Sequence, residues 1–183
     1  MRTILSFALL ALLLPAPGRA DLTGSIVELE QPAGGEVPIG EITVFRFNVT
    51  NNSPDYNSIA NVIFTFPPCA EVLSGSWDDS AAGNEWIFLF NGVGTNVAAF
   101  LDGDDLFTGE INGADVYGVG EHGWFDVIVD MGVDCPHQMD AIDWLLDGDA
   151  FGSAPHTLAG SIPIHVYDTP VAGTSWSRVK ALY

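Results

Sequence analysis

The segment Val37–Pro68, VPIGEITVFRFNVTNNSPDYNSIANVIFTFPP, decides the fold class of this chain. In an extended conformation Thr43, Phe45, Phe47 and Val49 fall on one side, and Arg46, Asn48 and Thr50 on the other. Val62, Phe64 and Phe66 repeat the alternation further on. Asn51-Asn52-Ser53-Pro54-Asp55 lies between the two runs, and these residues start turns and interrupt a hydrogen-bonded ladder. The pattern predicts two half-buried antiparallel strands joined by a polar loop, a hairpin-like pair.

Working outward, Leu22–Glu30 alternates weakly and reads as a first strand, ended by Gln31-Pro32-Ala33-Gly34-Gly35. Pro67-Pro68 stops the second strand of the pair. Ala70–Trp77 reads as a short strand. Glu85–Phe90, EWIFLF, is apolar on both sides and predicts a strand covered on both faces. Val97–Leu101 is a further strand, followed by a Gly- and Asp-rich stretch that predicts projecting loops. Trp124–Met131 alternates most cleanly, and Ala141–Leu146 and Leu158–Tyr167 complete the set. The prediction is an all-β chain, a single antiparallel Ig-like β-sandwich of about eight or nine strands over residues 21–168.

The first twenty residues read as a cleaved signal peptide. Arg2 is followed by an apolar run from Ile4 to Leu14, and Gly18-Arg19-Ala20 provides small residues for cleavage before Asp21. The apolar run is shorter than a bilayer span, and no later stretch is longer, so no transmembrane segment is expected in the mature chain. A secreted or otherwise extracytoplasmic location follows. The whole chain carries a formal charge of −19, and loss of Arg2 and Arg19 would leave three basic residues against 24 acidic ones, a net charge of −21. Such a surface repels nucleic acid and anionic lipid, and favours cations and basic partners. Cys69 and Cys135, the two cysteines, are expected to pair in an oxidising compartment.

The acidic stretch Asp102, Asp104, Asp105, Glu110 and Asp115 gathers carboxylates of the kind calcium takes, with Asp147 and Asp149 as further donors, although EF-hand spacing is absent. A solvated acidic loop is the competing reading, and no other cofactor is expected. Trp77, Trp86 and Trp124 would suit a sugar-stacking platform. The carboxylates raise the further alternative of a secreted hydrolase, but no catalytic frame is recognisable. His122, His137, His156 and His165 lack HExxH spacing, and no Gly-x-Ser-x-Gly elbow occurs. Asn48-Val49-Thr50 and Asn51-Asn52-Ser53 have the form of glycosylation sequons.

The runs Val37–Phe45, Asn48–Asp55 and Asn61–Pro67 together resemble the conserved-repeat, Ig-like domains of bacterial surface proteins, and Trp124–Met131 resembles their later alternating strand. The resemblance covers about half of the chain beyond the signal. It implies a non-enzymatic structural or adhesive module at the cell surface or envelope, with a protein or glycan partner and no catalytic set. A carbohydrate-binding module is the main alternative. Residues 169–183 form a linker and tail in which Trp176, Lys180 and Tyr183 look similar to short Trp-x-x-Val/Ile-Lys-x-Leu-Tyr endings of other exported bacterial proteins. That similarity implies a sorting or docking tag; the residues alone allow an amphipathic turn packing Trp176, Val179 and Leu182 on the sandwich.

Overall fold

The computed structural model describes residues 22–53, 57–79, 86–89, 95–103, 111, 120–148 and 156–168. The candidate signal peptide, most of the candidate calcium stretch and the C-terminal tail lie outside these residues. Within them the chain is built from β1 (Ile26–Gln31), β2 (Glu36–Pro38), β3 (Ile42–Thr50), β4 (Ile59–Thr65), β5 (Ala70–Asp79), β6 (Trp86–Leu89), β7 (Val97–Asp102), β8 (His122–Met131), β9 (Gln138–Gly148) and β10 (Thr157–Tyr167). They form a four-stranded sheet in the order β1-β3-β8-β5 and a six-stranded sheet in the order β2-β10-β9-β4-β7-β6. This is an Ig-like sandwich with ten strands rather than eight or nine.

The hairpin-like reading of Val37–Pro68 is corrected. β3 and β4 are not partners in a ladder but lie in opposite sheets, and the chain between them crosses the sandwich. Their alternating phenylalanines therefore meet face to face in the core. Phe47 of β3 stacks on Phe64 of β4 with ring centroids 3.9 Å apart, and Phe45 packs on Phe66 at 5.0 Å. Phe125 of β8 meets Phe100 of β7 at 4.8 Å and Trp86 of β6 at 5.1 Å. All of these rings are buried, and each contributes roughly 1.5–3 kcal/mol of apolar burial. The two sheets are held together mainly by this aromatic layer.

The crossing needs an anchor, because a chain leaving one sheet for the other takes its backbone polar groups out of any ladder. Asn51 supplies it. Its side chain is fully buried; its Nδ2 donates to the carbonyls of Asn57 (2.6 Å) and Ile111 (2.8 Å). Its Oδ1 accepts from the Ser53 amide (3.0 Å) and the Ser25 hydroxyl (3.1 Å). Ser53 Oγ lies between Asn51 Oδ1 and the Asn57 carbonyl, and its single proton serves one of them. One asparagine thus ties the start of β1, the β3–β4 crossing and Ile111 together.

The opposite end is closed covalently. Cys69 lies in the β4–β5 connection and Cys135 in the β8–β9 connection, both of which pass between the sheets. The two are joined in a disulfide with Cα atoms 5.2 Å apart.

Two further expectations change. β6 is an edge strand of its sheet, with Ile87 and Leu89 about half exposed, rather than a strand covered on both faces. Only Trp86 and its side of the strand face the core, and no second layer of described residues covers the other side. β2, which periodicity missed, is three residues paired parallel to β10. Gly35, at φ 71°, turns the chain into it, and a Cβ there would stand 3.0 Å from the Pro163 carbonyl.

Candidate functional site

The outer face of the six-stranded sheet carries one unbroken apolar row. Leu89 of β6 pairs with Ala99 of β7, Ala99 with Ile63 of β4, Ile63 with Leu145 of β9, and Leu145 with Ala159 of β10. Past the bulge at Ile59–Asn61, odd-numbered residues of β4 point outward, as do those of β9, because Val62, Phe64, Ile142 and Leu146 take the core side. Five strands at about 4.8 Å spacing make this row about 19 Å long. Ile87 and Leu101 widen it at the β6 edge, and Val97 lies beside Thr65. On β9 the row is bordered by Asp143 and Asp147, which oppose Thr65 and Asn61; Asp147 accepts a hydrogen bond from Asn61 Nδ2 at 3.2 Å.

The four-stranded sheet differs. It also exposes aliphatic residues, Ile26, Ile42, Val44 and Leu73, but its outer rows are broken by charge. Glu28, Asn48, Trp124 and Asp78 form one row, and Arg46, Asp126 and Ser76 belong to the next. Arg46 grips Asp126 through both Nε and Nη2 at 2.7 Å. The hydrogen bond to Asp126, and then its charge, raise the Arg46 pKa above its ordinary value. Arg46 is the one Lys or Arg among the described residues, so the described surface is otherwise anionic or neutral.

The three tryptophans do not share a platform. Trp86 is buried under the six-stranded sheet against Phe125, and is unavailable for stacking. Trp77, 38% exposed, pairs with the inward-facing Phe125, whereas Trp124 stands on the outer face of the same sheet. There Trp124 donates from Nε1 to Glu30 at 3.2 Å and meets the His122 ring edge-on at 4.5 Å. Alternation alone does not reveal that a bulge between Val72 and Ser74 shifts the facing of β5.

Of the candidate calcium ligands, Asp102 ends β7, while Asp104, Asp105, Glu110 and Asp115 lie outside the described residues, as do Trp176, Lys180 and Tyr183. No group of three or more His, Cys, Asp or Glu among the described residues is placed to hold a metal ion. Asn51, the first residue of one sequon, is buried with both ends of its amide engaged, so the folded domain does not present it to a glycosylating enzyme. No helix among the described residues is long and apolar enough to cross a membrane.

No family model and no curated protein matches the sequence. Solved structures do match in fold. The N-terminal domain of a Streptococcus gordonii adhesin superposes with a TM-score of 0.51 at 7% identity, over 78% of this chain and 32% of that one. A cohesin module from a Clostridium perfringens family 33 glycoside hydrolase gives 0.46 at 10% identity, over 79% and 96% of the two chains. AvmM, which catalyses macrocyclization in alchivemycin A biosynthesis, gives 0.45 at 13% identity, over 83% and 93%. The chain is similar in fold to Ig-like β-sandwich domains of bacterial surface proteins, and spans about a third of the adhesin structure.

Proposed function

We propose that this protein is an exported, non-enzymatic interaction module of the cell surface or envelope, which docks a protein partner through the outer face of its six-stranded sheet. The observation that carries this reading is the complete apolar row Leu89–Ala99–Ile63–Leu145–Ala159. Leu89 and Ala159 are exposed and Ala99, Ile63 and Leu145 half-buried, and a sheet face gains little from such a row unless something covers it, since polar residues alternate there in an ordinary solvated sheet. The neighbouring carboxylates and the scarcity of cations favour a partner with an apolar ridge bordered by Lys or Arg. The disulfide supports an oxidising, extracytoplasmic setting. The fold similarity to a surface adhesin domain is compatible with this assignment and does not extend to the adhesin's own binding.

Replacing both central residues, Ile63→Glu with Leu145→Glu, puts two charges into the row without touching the core. The fraction of the protein retained on the producing cells is expected to fall at least about tenfold, roughly 1.4 kcal/mol of lost binding, with folding retained. Val44→Glu, on the other sheet, is expected to leave retention unchanged. Equal retention of all three proteins would reject the assignment.

A further inference from the structure

We propose that His137, Met139 and His165 form a copper(I) site on the outer face of the six-stranded sheet. The site is separate from the apolar row: Met139 lies six residues along β9 from Leu145, about 20 Å away, so it stands whether or not the docking assignment does.

The geometry comes from the register. His165 of β10 lies directly opposite Met139 of β9. Cross-strand partners share a face with Cβ atoms about 5 Å apart. His137 precedes Met139 by two residues, and its ring centroid lies 5.8 Å from that of His165, with the planes inclined by 37°. The Met139 side chain is 64% exposed although it belongs to a strand with ample core positions, so packing does not explain a thioether there. Two imidazoles thus stand together at one corner of the sheet, and Met139 lies directly across from His165 on the same face.

The carboxylates nearby define what each imidazole presents. Glu36 Oε2 lies 3.0 Å from His165 Nδ1, and Asp168 Oδ2 lies 3.6 Å from His137 Nδ1. The Glu36 carboxylate at hydrogen-bond distance from His165 Nδ1 orients that ring and leaves its Nε2 for a metal, whereas Asp168 stands at ion-pair distance from His137. Glu36 is itself placed by the parallel pairing of β2 with β10, where it opposes His165. Glu36 therefore acts as an orienting partner of His165 rather than as a ligand. Two imidazoles and one thioether make a soft, low-coordinate set, which suits copper(I) and leaves calcium, magnesium and tetrahedral zinc short of ligands. Cys135, two residues before His137, is held in its disulfide, so no thiolate competes, and the bridge tethers the segment leading into the site.

The test is a titration of the exported protein with copper(I), kept reduced by ascorbate, which leaves disulfides intact, against the competing chelator bicinchoninate. One equivalent of copper is expected to pass from chelator to protein. His137→Ala and His165→Ala should each weaken retention about 100-fold or more, while Glu36→Gln should weaken it about tenfold through the imidazole it orients. Met139→Leu should weaken copper(I) binding at least about tenfold and leave the weak retention of zinc unchanged, because zinc makes little use of a thioether. His156→Ala should change nothing, and thermal melts of every variant confirm that each is folded. Failure of the protein to take one equivalent from the chelator would overturn the site. Equal retention by wild type and the two histidine variants would do the same, leaving only surface ion pairs.

Discussion

Asn51→Ala should be among the most destabilising polar substitutions in this protein. It deletes four hydrogen bonds, two donated to the Asn57 and Ile111 carbonyls and two accepted from the Ser53 amide and the Ser25 hydroxyl. Compensation is uneven. The Ile111 carbonyl keeps the Ile59 amide, 2.9 Å away, and the Asn57 carbonyl keeps Ser53 Oγ within reach. The Ser25 hydroxyl can rotate, whereas the Ser53 amide loses its partner. Four bonds at about 1 kcal/mol each give a loss of about 3–4 kcal/mol, a large part of the stability of an ordinary domain. Asn51→Asp keeps the shape and the acceptor but turns an oxygen toward two carbonyls at 2.6 and 2.8 Å. The introduced carboxyl would be held neutral in the folded state, with its pKa raised by burial and by those carbonyls. Stability of that variant should accordingly be greatest at low pH and fall as pH rises above the ordinary carboxylate range of about 4, because only the folded state retains the proton there. Guanidinium unfolding at pH 7 measures both effects, with Asn52→Ala as an exposed control expected within about 0.5 kcal/mol of wild type. A cost below about 1 kcal/mol for Asn51→Ala would refute the view that this side chain anchors the crossing.

Reduction of Cys69–Cys135, which spans 66 residues, should lower stability by roughly 4 kcal/mol in the chain-entropy treatment, read as a drop in melting temperature on adding reductant. Gly75→Ala should destabilise by about 1–3 kcal/mol, since its Cβ would stand 2.4 Å from the Phe88 ring and 2.9 Å from Phe100 in an already filled core; a neutral result in chemical unfolding would contradict that packing. Calcium and magnesium at matched ionic strength are expected to raise the melting temperature equally, through screening of the acidic surface, with no change in Asp102→Asn/Asp104→Asn; a calcium-selective shift lost in that variant would instead establish a site in the acidic stretch.

The alternation of Phe45, Phe47, Phe64 and Phe66 made the all-β sandwich legible in the sequence, because period-two burial is a property of single strands. Which strands pair is not. The polar run after Thr50 has the composition of a hairpin turn, yet β3 and β4 lie in opposite sheets, and what fixes this is non-local: strand pairings and the contacts of Asn51 with Ser25 and Ile111, 26 and 60 residues away. The disulfide was legible from the cysteine count and the oxidising compartment expected from the sequence. The apolar row was not, because its five residues come from five strands and each looks unremarkable in its own segment. Ile63 and Leu145, flanked by core residues, read simply as more hydrophobic pattern. The copper site was hidden for the same reason: His137 and His165 are 28 positions apart and meet only through the β9–β10 register. Trp86 was misread because an aromatic residue in an apolar run gives no sign of which side faces the core.

The docking face is tested most directly by placing a photo-crosslinking side chain, p-benzoylphenylalanine, at single positions and irradiating the protein on its producing cells. At Ile63 or Leu145 the account predicts one discrete crosslinked protein species, and at Ile26 or Val44 on the opposite sheet none. Crosslinking only from Ile26 or Val44, or from none of the four positions in folded protein, would contradict it.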